Sequence, residues 1–213
     1  YLIAGRPVGG FMMNQYVIGC TKTREAAIVD AGGDPDMFLS FCDKENLTIT
    51  KLLQTHGHVD HVAMLAETKA ATGAEVYFHP LAEPVAARAP SRGAMFGFRV
   101  TQPPEADKHL ADKGTVTVGA LEFKVWHTPG HAPGHVCFVD DRNHKVFGGD
   151  LLFKGSVGRT DLPGCDPSLM GSSLSKLFTL DDSTTVYAGH MEPTTIGAER
   201  RSNPFLDVFG VVR

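Results

Sequence analysis

The run Thr55-His56-Gly57-His58-Val59-Asp60-His61 constrains this chain more than any other feature. Three histidines and an aspartate fall within six residues, a density that core packing does not explain, because imidazoles and carboxylates are costly to bury without partners. Just before it, Ile49 to Gln54 reads as a strand, and Val62 to Thr72 just after it reads as a helix. The fold must therefore bring a strand end, an open loop and a helix start around one polar pocket.

The same arrangement recurs along the chain. Strands also read at Phe11 to Gly19, at Ala26 to Asp30 before the turn Ala31-Gly32-Gly33, and at Glu75 to Phe78. The second half reads as strands at Thr115 to Val118, Leu121 to Trp126, Val136 to Asp140, Val146 to Gly149 and Thr184 to Ala188, with Asp141 to His144 as a hairpin turn. Strand-to-loop junctions then end in His131, Asp150 and His190 as well as in the first cluster. Together these seven imidazole and carboxylate groups suffice for two ions. His56 and His58, two apart in an extended loop, converge on a first ion if Gly57 lets the backbone bend. Asp60 and His61, at the following turn, point towards a second. A carboxylate has two equivalent donor oxygens, so Asp150 or Asp60 is the natural bridge. His79, His109, His127 and His144 lack companions at ligand spacing and read as ordinary polar residues. His135, in Pro129-Gly130-His131-Ala132-Pro133-Gly134-His135, reads as a supporting neighbour of the site.

Helices fill the intervals. Asp34 caps one that opens on Pro35 and carries Met37, Phe38, Phe41 and Cys42 on one face. Asp166-Pro167 starts another that runs to about Leu180, and Thr195 to Arg201 forms a third that Asn203-Pro204 stops. Pro80 to Gly114, rich in proline and alanine, has little periodicity, and part of it reads as a long surface excursion of the kind that borders active sites. Strands and helices alternate in two halves, which implies an α/β fold of two packed sheets with helices outside.

With 213 residues, 42% of them hydrophobic, the chain can bury one large core and reads as a single domain over residues 1–213. The net charge of -4, with lysines and arginines scattered, leaves no electrostatic footprint for nucleic acid or an anionic membrane surface. Four cysteines far apart, with no C-x-x-C pair, suit reduced thiols and a cytoplasmic location, and no stretch approaches the ~20 apolar residues of a membrane span.

Taken together, the H-x-H-x-D-H run at 56–61, Thr128-Pro129-Gly130-His131, Gly148-Gly149-Asp150 and Gly189-His190 resemble the metal-binding blocks of the metallo-β-lactamase superfamily. The resemblance implies a four-layer αββα sandwich. It places His56, His58 and His131 on one metal, Asp60, His61 and His190 on the other, and Asp150 between them. Asp30 matches a recurrent family position with a supporting role. The implied cofactor is a pair of divalent ions per chain, zinc first, with iron or manganese as the alternatives.

Phe153 to Asp161 and Gly197 to Phe205 are similar to segments of compact bacterial glyoxalase II-like hydrolases. This implies a thioesterase that cleaves a small anionic thioester such as S-lactoylglutathione. A metal-activated hydroxide would attack the carbonyl, with Asp60 and Asp150 as the catalytic carboxylates. Arg159, nine residues after Asp150, stands where larger relatives bind the glutathione part, and Arg200 and Arg201 are weaker candidates for the same role. Two other readings compete. A mononuclear iron persulfide dioxygenase would need only His56, His131 and Asp150, and a non-catalytic metal-binding module would keep the fold alone.

Overall fold

The computed structural model describes residues 1–211. Two six-stranded sheets pack face to face, and helices cover both outer surfaces. The first sheet follows chain order through β1 (Leu2–Val8), β2 (Met13–Gly19), β3 (Glu25–Val29), β4 (Thr48–Leu53), β5 (Glu75–Phe78) and β6 (Lys108–His109). Its first three strands pair antiparallel and the rest parallel. Crossovers between the parallel strands place α1 (Pro35–Lys44), α2 (Val59–Val62) and α3 (Leu65–Thr72) on one face.

The second sheet comprises β7 (Thr115–Val118), β8 (Leu121–His127), β9 (Val136–Asp140), β10 (Lys145–Gly149), β13 (Thr185–Ala188) and β14 (Thr194–Thr195). Its spatial order is β14-β13-β10-β9-β8-β7, with only β10 and β13 parallel. A small hairpin of β11 (Leu152–Phe153) and β12 (Ser156–Val157) follows β10, and α6 (Pro167–Leu177), α7 (Ile196–Ser202) and α8 (Phe205–Val208) complete the second half. The four-layer αββα sandwich is the observed architecture.

Strand periodicity explains the layers, because successive side chains leave opposite faces. On β2 and β3, Val17, Ala26 and Ile28 face the helices, whereas Tyr16, Ile18, Ala27 and Val29 face the other sheet. On β9, Cys137 and Val139 turn outward to α6, and Val136 and Phe138 turn inward. Strands buried on both faces read as continuous apolar runs, which is why they were legible. Phe123, Phe138 and Phe147 fill the space between the sheets, and truncating any of them to alanine is expected to cost about 3–5 kcal/mol.

Five parts of the chain differ from expectation. β1 is an additional edge strand, whose Gly-Arg-Pro centre hides the period while its edge position tolerates Pro7. β2 begins at Met13, because Gly9 and Met12 take positive φ in the preceding turn. The helix read at 62–72 starts earlier and breaks into α2 and α3 around Met64. The excursion at 80–114 holds α4 (Glu83–Ala86), α5 (Ala89–Met95) and β6, and a helix also follows Pro204.

Candidate metal centre

The site groups lie on loops that follow strand ends and, for Asp60 and His61, on α2, and Asp30 ties the first group together. It follows β3 in the left-handed region, φ 57°, where aspartate is one of the few tolerated residues. There its Oδ1 accepts from the Thr55 backbone N–H at 2.7 Å, and its Oδ2 accepts from the Thr55 hydroxyl at 2.7 Å and from His61 Nδ1 at 2.9 Å. With its hydroxyl proton given to Asp30, Thr55 Oγ1 is free to accept from His56 Nδ1, 3.0 Å away. One buried carboxylate thus fixes the tautomers of two histidines and leaves both Nε2 atoms facing the cavity. Gly57, between His56 and His58, is required because a Cβ there would run into Ala82 O and lie 2.6 Å from Ala86 N.

The second half supplies His131, Asp150 and His190. His131 Nδ1 donates to the Arg159 carbonyl at 2.9 Å, which again leaves Nε2 for the cavity. His135 is fully buried, and its Nε2 accepts from the Asp150 backbone N–H at 3.1 Å while its Nδ1 meets the Thr128 hydroxyl at 2.9 Å. It holds the Asp150 turn, the supporting part expected of it. His190 sits on a loop fastened to the other sheet. Asn14 Nδ2 donates to Ala188 O at 3.1 Å and Met191 O at 2.6 Å, and the Tyr16 hydroxyl donates to Ala188 O at 2.8 Å.

These segments bring all seven expected groups to one place. His56, His58 and His131 form one cluster, and Asp60, His61 and His190 another, with donor atoms in each within 4.8 Å of one another. In the first, His58 Nδ1 lies 3.1 Å from His56 Nε2 and 2.9 Å from His131 Nε2. In the second, His190 Nε2 lies 3.2 Å from Asp60 Oδ2. Asp150 stands between the clusters, Oδ1 3.3 Å from His61 Nε2 and Oδ2 3.5 Å from both His131 Nε2 and His190 Nε2.

Charge in the centre is divided. Burial, then neighbouring imidazoles, holds the His56 pKa well below its ordinary value, and the same causes lower His58 to about 4. Burial also lowers His131. These three rings are neutral, the form in which imidazole ligates a metal. Burial opposes a charge on His61 too, but Asp150, Asp60 and Asp30 overcome it and push its pKa well up. Against burial, His61, His131 and His190 hold Asp150 well below the carboxylate range. The centre therefore demands positive charge around Asp150. His61 Nε2 and Asp150 Oδ1 are buried and make no hydrogen bond, so each keeps a donor position that a cation would satisfy. Neutral imidazoles, ionised carboxylates and these orphaned atoms fit a pair of divalent ions.

The centre opens on a cleft of about 430 Å³. His58, Asp60, His131, Asp150 and His190 form its floor, Phe153 and Arg159 one wall, and Val85, Arg88, Arg92 and Phe96 another. Arg159 reaches the cleft, paired through Nε and Nη2 with Asp161 at 2.7 and 2.8 Å. Arg200 and Arg201 do not line it. The Arg200 guanidinium donates to Asp182 at 2.8 Å and to the Phe178 carbonyl at 2.9 Å, and Arg201 is exposed on the same helix. In that motif the inward residues are Glu199 and Asn203, one helical turn apart. Glu199 accepts from Gly155 N at 2.8 Å, the Thr194 hydroxyl at 2.5 Å and Asn203 Nδ2 at 2.8 Å, and so braces the hairpin that carries Phe153. The missed signal was helical spacing, which turns 199 and 203 inward when 200 and 201 face out. Arg88 and Arg92 were also missed, although Val85, Arg88, Arg92 and Phe96 follow a helical stripe.

The fold and the seven convergent groups define a metal-dependent hydrolase of one family. The profile of the Metallo-beta-lactamase superfamily matches residues 8–190, and the chain belongs to that superfamily. It is 35% identical to the hydroxyacylglutathione hydrolase GloC of Haemophilus influenzae, over 94% of this chain and 96% of that protein. Among solved structures it is similar to TTHA1623 in a di-iron-bound form, with 37% identity, TM-score 0.88, and coverage of 95% of this chain and 100% of that one. The BLEG-1 B3 metallo-β-lactamase superposes equally well, with 35% identity, TM-score 0.88, and coverage of 96% and 99%. Among the described residues no helix is long and apolar enough to cross a membrane.

Proposed function

We propose that the protein is a dinuclear metal-dependent thioesterase that cleaves small anionic thioesters of the hydroxyacylglutathione type. The observation that carries this reading is the commitment of every proton-bearing group on the cleft floor. His58, Asp60, His131 and His190 belong to the two clusters, Asp150 stands between them, and among the described residues the other ionisable cleft groups are arginines. No side chain is left to protonate a poor leaving group. A thiol, with an unperturbed pKa near 8.5, departs as thiolate and needs no such acid.

In this reading His56, His58 and His131 would hold one ion, Asp60, His61 and His190 the other, and Asp150 would contact both. A pair of ions held there would supply a hydroxide near neutral pH and polarisation of the thioester carbonyl. The protein's own parts then position the reaction. Asp60 lines the cleft beside His190 and orients the attacking water through its free carboxylate oxygen. Phe153, edge-on to His190 with ring centroids 5.9 Å apart, keeps bulk water from that side. Arg159 can exchange exposed Asp161 for a substrate carboxylate at little cost, since exposed ion pairs are weak.

The test is hydrolysis of S-lactoylglutathione by metal-loaded protein beside an Asp150→Ala variant. Hydrolysis that disappears in the variant supports the reading. Absence of thioester cleavage, or full activity after the substitution, ends it. Oxygen uptake with glutathione persulfide at one iron per chain would favour the dioxygenase instead, and turnover of a chromogenic β-lactam alone would point to lactam hydrolysis.

A further inference from the structure

We propose that the excursion carrying α4 and α5 supplies a second anion anchor, Arg88 and Arg92, which selects thioesters whose thiol carrier bears two separated carboxylates. The inference rests on the thioesterase reading and adds the side of the cleft that recognises the carrier. Arg88 and Arg92 lie one helical turn apart, bonded Arg92 N to Arg88 O at 3.0 Å, and both line the cleft with Val85 and Phe96. Among the described residues no carboxylate lies within salt-bridge distance of either guanidinium, and the contact found for Arg92 is the Met95 sulfur at 3.9 Å. Arg159, by contrast, already has Asp161. The unneutralised positive charge of the cleft thus sits on the excursion, not on the wall that sequence motifs point to.

The excursion is seated on the metal-ligand loops and is not a loose flap. Gly57 admits Ala82 and Ala86 against the His56–His58 turn, and Gly134 admits Ala82 and Leu81 against the loop after His131. Arg88 and Arg92 are therefore held at a fixed height above the centre. Half-buried Arg92 has the greater effect, because a partly desolvated guanidinium gains more from a carboxylate than an exposed one. A cleft of about 430 Å³ suits a carrier of tripeptide size with one carboxylate on Arg159 and the other on Arg92 and Arg88.

The experiment uses metal-loaded protein with Arg92→Met, Arg88→Met, the double variant and Arg92→Lys, each first checked for unchanged metal content and melting temperature. Binding of the inert thioether S-methylglutathione is measured by calorimetry, and kcat/KM is measured for S-lactoylglutathione and for a neutral-carrier thioester, S-lactoyl-N-acetylcysteamine. Arg92→Met is expected to weaken S-methylglutathione binding about tenfold and the double variant further, with partial recovery in Arg92→Lys. The loss in kcat/KM should fall on S-lactoylglutathione alone, through KM. Unchanged binding, an equal loss on both thioesters, or a preference for a coenzyme A thioester would overturn the anchor. If no thioester is hydrolysed but S-methylglutathione binds with this arginine dependence, the anchor stands and the thioesterase reading falls. If both thioesters are cleaved without arginine dependence, the reverse holds.

Discussion

Replacing Asp30 with asparagine tests the organisation of the centre without touching a group that lines the cleft. Asparagine tolerates the left-handed backbone at this position, so strain does not confound the result. Its carbonyl oxygen can still accept from Thr55 N–H, but its amide then presents N–H groups to His61 Nδ1 and Thr55 Oγ1. The Thr55 hydroxyl can rotate and accept. The His61 Nδ1–H cannot, and relief requires moving its proton to Nε2, the atom aimed at Asp150 and Asp60. The loss is one charge-assisted hydrogen bond, about 1.5–3 kcal/mol, and loss of such a partner typically lowers metal affinity 10–100-fold. A chelator competition that resolves two binding steps should show the step assigned to Asp60, His61 and His190 falling by that factor and the other changing less. Thr55→Val should shift the burden to His56 and the other step. Asp30→Ala, which strands three buried donors, is expected to cost roughly 3–9 kcal/mol and to compromise folding itself. Wild-type affinity for both ions in Asp30→Asn, with an unchanged urea midpoint, would refute the claim that this carboxylate orients the histidines.

Other perturbations probe neighbouring parts. Gly189→Ala places a methyl group against Asp150 Oδ1 and 2.8 Å from His61 Cε1, so metal content should drop while far-UV circular dichroism stays the same; retention of two ions would contradict it. Glu199→Ala removes the acceptor of three donors and should lower the urea midpoint by the equivalent of about 2–4 kcal/mol, with KM for an anionic thioester raised as the hairpin before Arg159 loosens. His135 has its pKa lowered to about 3 by burial, then by His131, against about 6.5 when unfolded. Between those values the unfolded chain binds the extra proton, so stability is full above about pH 6.5 and declines as pH falls towards 3. In metal-free protein, urea midpoints across pH 7 to 5 should fall, and His135→Gln should remove about 1.4 kcal/mol per pH unit from that slope.

Much of the fold was visible because the inner strands are buried on both faces, and such runs as Val136-Cys137-Phe138-Val139 carry their layer assignment in their period. β1 was invisible because pairing with β2, not apolarity, makes it a strand. The seven groups of the centre could be found because they follow strand ends, on loops and the start of α2, where chain direction delivers side chains to one rim. Asp30 was recognisable only by resemblance, since its work depends on a positive φ and on Thr55, twenty-five residues away. Arg200 and Arg201 are only weaker candidates by sequence, cationic residues in a motif for which a solvated face is the commoner reading, and direction on α7 turns them away from the cleft. The arginines of α5 were hidden by an excursion whose proline and short helices obscure periodicity, and only its seat on Gly57 shows which way it faces.

The fastening of the His190 loop to Asn14 and Tyr16 has a consequence for biogenesis. Donors for the two clusters come from the first sheet at 56–61 and from the second at 131, 150 and 190, so no early portion of the nascent chain holds a complete set. Capture of ions by complete sets would thus wait until His131 and His190 are made and both sheets have closed. Ions that prefer the closed form, where His131, Asp150 and His190 join the 56–61 run, would draw the final equilibrium towards it.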